Sequence, residues 1–553
     1  MARLGRLTWS SIESSRGAAW YSRPLFSWTR GGGFTASQVI GSRTYHPVLA
    51  QIVSKALEMA TGCRSAALML PCLFMLAGCA QVEDSVLRFG LAAAPVTLDP
   101  RFATDAASTR INRLLYRRLV EFDDSFQPVP SLAVWRRVTP THYRFRLGED
   151  GRRFHNGVRL TAADVKATYD SVLDATQASP HRGSLTLIQR IEALDPDTVD
   201  FFLQRPDPLF PGRLVIGVLP AAEIQGGREF NREPMGSGPF SFEHWRQEGA
   251  LRLRRLTDGF SVEFIRVPDP TVRVLKLIRG EIHIAQGDLP PEMVAWLGAR
   301  EDVTVVKAPG TNFAYLGFNL EDPVVKDLNL RRAIAHGIDR PTIIQRVMGR
   351  AARIANAILP PDHWAGHPTL KPLAFDPVKA RQLLATAGYQ SGRGPEITYK
   401  TSTDPFRVRL ATIIQDQLAR VGIRVHIRSY DWGTFYGDVK AGRFQVYSLA
   451  WVGIKMPDIF RYAFHSSAIP PKGANRGRLR DATVDGLINR AEQTESLPQQ
   501  SRIYRRLQAH LLNTLPYVPL WYEDHVAVVR DSVSAYAVSA DGNYDGLVKV
   551  NFR

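Results

Sequence analysis

The stretch that most limits what this chain can become is residues 141–173, THYRFRLGEDGRRFHNGVRLTAADVKATYDSVL. Tyr143, Phe145 and Leu147 alternate with Arg144 and Arg146, the period of a strand with one buried face. Gly148 and Gly151 frame a turn, Phe154 and Val158 resume extended character, and Thr161 stands three residues before Asp164 at the head of VKATYDSVL. That last spacing is a capping box. The segment reads strand, turn, short strand, capped helix, and by physics alone it is a ββα piece of some α/β domain.

Its wording, an aromatic-rich strand running into RLGEDGRRFHNGVRLTAADV, resembles the signature of the family 5 extracytoplasmic solute-binding proteins of ABC importers, which include oligopeptide- and dipeptide-binding proteins. The resemblance implies an α/β, two-lobe, type II periplasmic-binding-protein-like fold with an extra small β-rich subdomain in the first lobe. Further motifs follow in the family's order: Thr97-Leu98-Asp99-Pro100, Gly236-Ser237-Gly238-Pro239-Phe240, Arg279-Gly280-Glu281-Ile282-His283, Tyr315-Leu316-Gly317-Phe318-Asn319, RRAIAHGIDR and Leu515-Pro516-Tyr517-Val518-Pro519-Leu520-Trp521. The implied division is first lobe over 79–127, 223–312 and 515–553, β-rich subdomain over 128–222, and second lobe over 313–514. The chain would cross between lobes near 308–318 and 508–518. Between the crossings, capped amphipathic helices alternate with strands, which favours βα units in a parallel or mixed sheet. Asp376-Pro377 opens one helix with an N-cap and a proline at N1, Gly388 closes that helix, and Gly422 closes the next, Arg407 to Arg420.

Length supports that division, because 553 residues with 44% hydrophobic and 22% charged can bury a large core split into lobes. The net charge of +17 falls to +11 once residues 1–78 are set aside. What remains is spread out. Short groups such as Arg252, Arg254 and Arg255, or Arg476, Arg478 and Arg480, read as solvated faces, and no nucleic-acid reader motif accompanies them.

All three cysteines, Cys63, Cys72 and Cys79, lie near the start, so the body of the protein has no cysteine framework or cysteine metal cluster. Residues 65–79, SAALMLPCLFMLAGC, form an apolar run of signal-peptide length, shorter than the roughly 18 residues of a bilayer span. It ends in Leu76-Ala77-Gly78-Cys79, which resembles a lipobox. Cys79 is accordingly the expected lipidation site, residues 59–78 the lipoprotein signal peptide, and residues 1–58 a disordered or non-native extension ahead of Met59. The expected location is the periplasm, attached to the membrane through the lipid.

The usual signs of enzyme chemistry are missing: there is no GxSxG elbow, HExxH, GxGxxG fingerprint or P-loop. His363 and His367 have metal-like spacing but sit among Pro360, Pro361, Gly366 and Pro368, in a loop. The expectation is a binding protein with neither cofactor nor metal, its partners a small peptide or peptide-like solute and ABC permease subunits. A lipoprotein sensor or chaperone using the same cleft, or a hydrolase, is the alternative. The resemblance assigns the ligand site to Thr104 and Asp105 after the TLDP loop, Gly238, and Trp451, Ile454, Lys455 and Asp458. Gly238 serves either a turn or a ligand contact, and Trp451 either stacks on the solute or packs in the core. In peptide-binding relatives an Asp three residues after the tryptophan pairs with the peptide's amino group. Here that position is Ile454, and Lys455 beside it favours an anion, unless Asp458 or Asp105 takes the amine or Lys455 points to solvent.

Overall fold

In the computed structural model, which describes residues 86–246, 249–390 and 394–553, the chain enters on β1 (Val86–Leu91), a strand buried on both faces. Helix α1 (Ala106–Leu115) follows, with the Asp105 carboxylate accepting the Ser108 N–H at 2.8 Å and Ile111, Leu114 and Leu115 facing the core. The chain then builds β2 (Ala133–Thr139), β3 (His142–Leu147), α2 (Ala162–Leu173), β4 (Ile188–Asp195) and β5 (Thr198–Leu203). These strands make an antiparallel sheet in the order β2-β3-β5-β4. Tyr143, Phe145, Tyr169, Phe201 and Phe210 give it its own core. The capping box forms, with the Asp164 carboxylate accepting the Thr161 N–H at 2.7 Å. The short strand expected at Phe154 and Val158 reduces to one bridge between Arg153 and Arg159, because Gly157, at φ +86°, turns the chain before a ladder can propagate.

β6 (Phe240–Trp245), β7 (Ala250–Arg255), β8 (Ser261–Arg266) and β9 (Ile284–Gln286) complete the first lobe's share of a large mixed sheet. The long β10 (Val303–Phe318) leads to α3 (Leu328–Gly337), β11 (Glu396–Ser402), α4 (Pro405–Arg420), β12 (Arg424–Tyr430), α5 (Trp432–Ala441), β13 (Val446–Trp451), α6 (Ile459–Phe464), α7 (Leu497–Thr514) and β14 (Tyr517–Arg530). The strand order is β12-β11-β13-β10-β14-β9-β1-β8-β7-β6. β11 is parallel to β12 and β13, as the alternation of helices and strands predicts. β10 runs antiparallel to both β13 and β14.

One sheet thus runs through both lobes, and β10 and β14 are the strands they share. Their ladder breaks register between Ala308 and Asn312, opposite His525 and Glu523. A β-bulge at that point lets paired strands bend. Gly310 sits in the break, where a Cβ would stand 2.1 Å from the Glu523 carbonyl oxygen, so only glycine lets the two backbones pass. β10 spans the first expected crossing, 308–318. The second expected crossing, 508–518, covers the end of α7 and the start of β14, where Leu511, Leu515, Val518 and Trp521 pack with residues of the second lobe. The strand reaches the first lobe's core only at Ala527 and Val529. The Leu-Pro-Tyr-Val-Pro motif is apolar throughout, so periodicity could not tell which lobe it serves.

Candidate functional site

The parallel strands β11, β12 and β13 end together in the second lobe. There the chain leaves through Thr403 and Asp404, Asp431, and the loop 452–458. Helices α4 and α5 begin at this edge, each capped by an aspartate: Asp404 accepts the Arg407 N–H at 2.9 Å and Asp431 the Thr434 N–H at 3.1 Å. In open α/β sheets ligands bind outside the carboxyl ends of the strands. A cavity of about 330 Å³ opens at this edge, its lining including Tyr399, Ser402, Arg407, Trp432, Ala450 and Trp521. That volume suits a small solute. Trp432 and Val452 stand at the cavity's exposed rim, at 58% and 62% exposure. Within it the Arg407 guanidinium donates to the Glu523 carboxylate at 2.8 Å, tying the second lobe to the shared strand β14.

The sequence-predicted site residues divide in two. Trp451, Ile454, Lys455 and Asp458 fall in the strand end and loop just described. Ile454 is buried in the second lobe's core. Lys455 and Asp458 point the other way, toward the first lobe: the Lys455 ammonium lies 2.6 Å from Asp541, and Arg213, from the segment after the β-rich sheet, donates to Asp458 at 3.1 Å. Lys455 thus meets an anion of the protein itself, Asp541, and pairs lobe with lobe. Asp105 is engaged as the cap of α1, and Thr104 is exposed beside it. A Cβ on Gly238 would stand 2.3 Å from the Leu114 carbonyl oxygen, so this glycine serves the close approach of the turn to α1. Among the described residues, no hydrogen bond or ion pair joins Thr104, Asp105 or Gly238 to the second-lobe group.

Further contacts bridge the lobes. Arg137 pairs with Glu495 at 2.8 Å, the Trp364 N–H donates to the Ser125 carbonyl at 3.1 Å, and His363 stacks on Phe126 at 5.6 Å. His363 is committed at both ring nitrogens, Nδ1 accepting the Ala365 N–H at 2.9 Å and Nε2 meeting the Lys455 carbonyl at 3.1 Å. Burial pulls its pKa down to about 4, so at neutral pH it is an uncharged wedge between the lobes.

Sequence reasoning missed Arg213, Arg407, Trp432 and Asp541, whose roles come from distant segments meeting. It also misplaced Arg476, grouped with Arg478 and Arg480 as a solvated face: Arg476 is only 7% exposed. The available signal was its flanks, Asn475 and Gly477, which isolate it from any helical charge stripe.

A model of the "Bacterial extracellular solute-binding proteins, family 5 Middle" matches residues 127–469. A probable di/tripeptide-binding protein 5 of Pseudomonas aeruginosa is 30% identical over 476 residues, 78% of this chain and 89% of that one. The solved periplasmic binding protein DppA of Helicobacter pylori, in complex with the peptide STSA, is 26% identical with a TM-score of 0.69, covering 84% of this chain and 98% of that one. CtaP, an ABC transporter substrate-binding protein of Listeria monocytogenes, is 22% identical and superposes with a TM-score of 0.76, covering 84% of this chain and 99% of that one. These solved structures share the two-lobe architecture. Among the described residues, no helix is long and apolar enough to cross a membrane.

Proposed function

We propose that this chain, which belongs to family 5 of the bacterial extracellular solute-binding proteins, captures a peptide or peptide-like solute between its two lobes and delivers it to an ABC import permease. The observation that carries the reading is the carboxyl edge of β11, β12 and β13, which faces the joint between lobes that share β10 and β14. A solute held there touches both lobes only when they close, so its binding energy favours closure. The pairs Lys455–Asp541, Arg213–Asp458 and Arg137–Glu495 act as the protein's own contribution to that state. In this reading the first lobe comprises residues 79–127, 223–312 and the return from about residue 523, with 128–222 as its subdomain.

Ile454 argues for a solute without a free amine at that point. Its side chain is turned into the core and no carboxylate stands at this position, so an ammonium held there would be buried without a partner, which costs several kcal/mol. Titration calorimetry with di- and tripeptides and their N-acetylated counterparts is the test. The acetylated forms are expected to bind at least as tightly as the free amines. Submicromolar Kd for free-amine peptides, with acetylated ones not binding, would mean that another group in the cleft anchors the amine.

Delivery from the cell envelope is supported by the lipobox-like Leu76-Ala77-Gly78-Cys79, which lies outside the described residues. Lipid on Cys79 would hold the protein on a membrane, each buried CH₂ contributing about 0.8 kcal/mol. Changing Cys79→Ser is expected to abolish fatty-acid labelling and release the protein from the membrane fraction. Continued labelling of that variant would sink the lipoprotein reading.

A further inference from the structure

Beside Trp451 the second lobe buries a cation with no counter-ion among the described residues. Arg476 lies in a cage of aromatic side chains, its Cζ 4.6 Å from the ring centroid of Trp451 and 5.4 Å from that of Tyr436. One terminal nitrogen donates to the Tyr315 hydroxyl and the other to the Tyr436 hydroxyl, each at 3.1 Å. Arg476 makes no ion pair among the described residues, and only two of the guanidinium's five N–H donors are used. The indole Nε1 of Trp451, also a donor and never an acceptor, is buried and has no hydrogen-bond partner among the described residues.

Taking a guanidinium out of water is costly unless a negative charge or a full set of acceptors replaces the water. Contact with ring faces returns only part of that. The cage therefore has surplus donors and positive charge and lacks an acceptor. Its half-buried members are Trp451 and Tyr436, and Val452 and Gly453 beyond Trp451 are exposed. The solvent side of the cage is thus the same strand edge that the solute site occupies.

Resting on the solute-binding reading above, we propose that Arg476, with the Trp451 Nε1–H, is the anchor for a carboxylate of the bound solute. A carboxylate offers two oxygens in the plane that an arginine fork matches, and it supplies the missing acceptors. The same cation repels an ammonium from the point where Ile454 offers it no partner, so the two residues select the same solute: acidic at this end, with its amine blocked or elsewhere.

The test is calorimetry of the full-length mature protein with four compounds: dialanine, acetyl-dialanine and the carboxamide of each. The acids are expected to bind at least tenfold more tightly than their amides, with acetyl-dialanine no weaker than dialanine. In Arg476→Met the acid-over-amide preference should vanish, and in Arg476→Lys it should fall to an intermediate value. Equal binding of acids and amides by the unaltered protein overturns the assignment and needs no variant to show it. A preference that survives in folded Arg476→Met overturns it as well, and in both cases the cleft reading stands. If none of the four binds, the peptide reading fails, and this subsite fails with it.

Discussion

Lowering the pH from about 6.5 to about 4 is expected to strip several kcal/mol of stability from the folded protein, most of it before the carboxylates that the fold holds down take up protons. His363 is wedged at the lobe contact, and burial lowers its pKa to about 4. His283 accepts the Arg88 N–H on Nδ1 at 2.9 Å, and burial together with the nearby Arg88 and Arg530 brings it also to about 4. Burial lowers His155, His181, His336 and His525 in the same direction. In the unfolded chain each takes a proton near pH 6.5, whereas the fold refuses it until lower pH, about 4 for His363 and His283. Between those values the unfolded state binds more protons, so stability is intact above 6.5, falls as pH falls through the window, and levels near 4 as far as these groups are concerned. A shift of that size corresponds to roughly 3 kcal/mol for each of His363 and His283. The carboxylates act later: hydrogen bonds from Arg255 hold Asp258 down to about 2. Urea midpoints at about pH 7, 5.5 and 4 should drop steadily, and His363→Asn should flatten part of the slope. Midpoints that stay level across the window would show that the histidines are not held neutral by the fold.

Replacing Arg331 with methionine is expected to cost about 3 kcal/mol or more, because each buried acceptor left without its donor costs about 1–3 kcal/mol. Its guanidinium donates to the carbonyls of Leu515 and Thr514 at 2.9 Å, of Val325 at 3.0 Å, and of Lys326. The first two belong to the end of α7, where helical geometry leaves carbonyls without intrahelical donors; the other two precede α3. Arg331 is 7% exposed, and burial lowers its pKa to about 10, so it remains charged at pH 7. Methionine fills similar volume and leaves four inward carbonyls without that donor. Denaturant unfolding followed by circular dichroism should show a lower midpoint at unchanged slope. A loss under 1 kcal/mol would mean that water or neighbouring N–H groups satisfy those carbonyls.

By itself the sequence determined everything that depends on neighbours in the chain. The capping box at Thr161, the aspartate cap at Asp376 and the βα alternation through α4 and β12 are short-range preferences and could be read in order, while the two-lobe fold was implied by the resemblance of the ordered motifs to family 5. The tertiary structure alone decided what depends on distant segments meeting. That Lys455 meets Asp541, 86 residues later in the chain, could not be read from either segment alone. Arg476 looked solvated because two arginines follow it at alternate positions; only the convergence of Tyr315, Tyr436 and Trp451 from three other segments buries it. The second crossing lay outside sequence reach for the same reason: Tyr517 to Tyr522 is apolar enough for either lobe, and pairing with β10 rather than local preference decides where β14 leaves one core for the other.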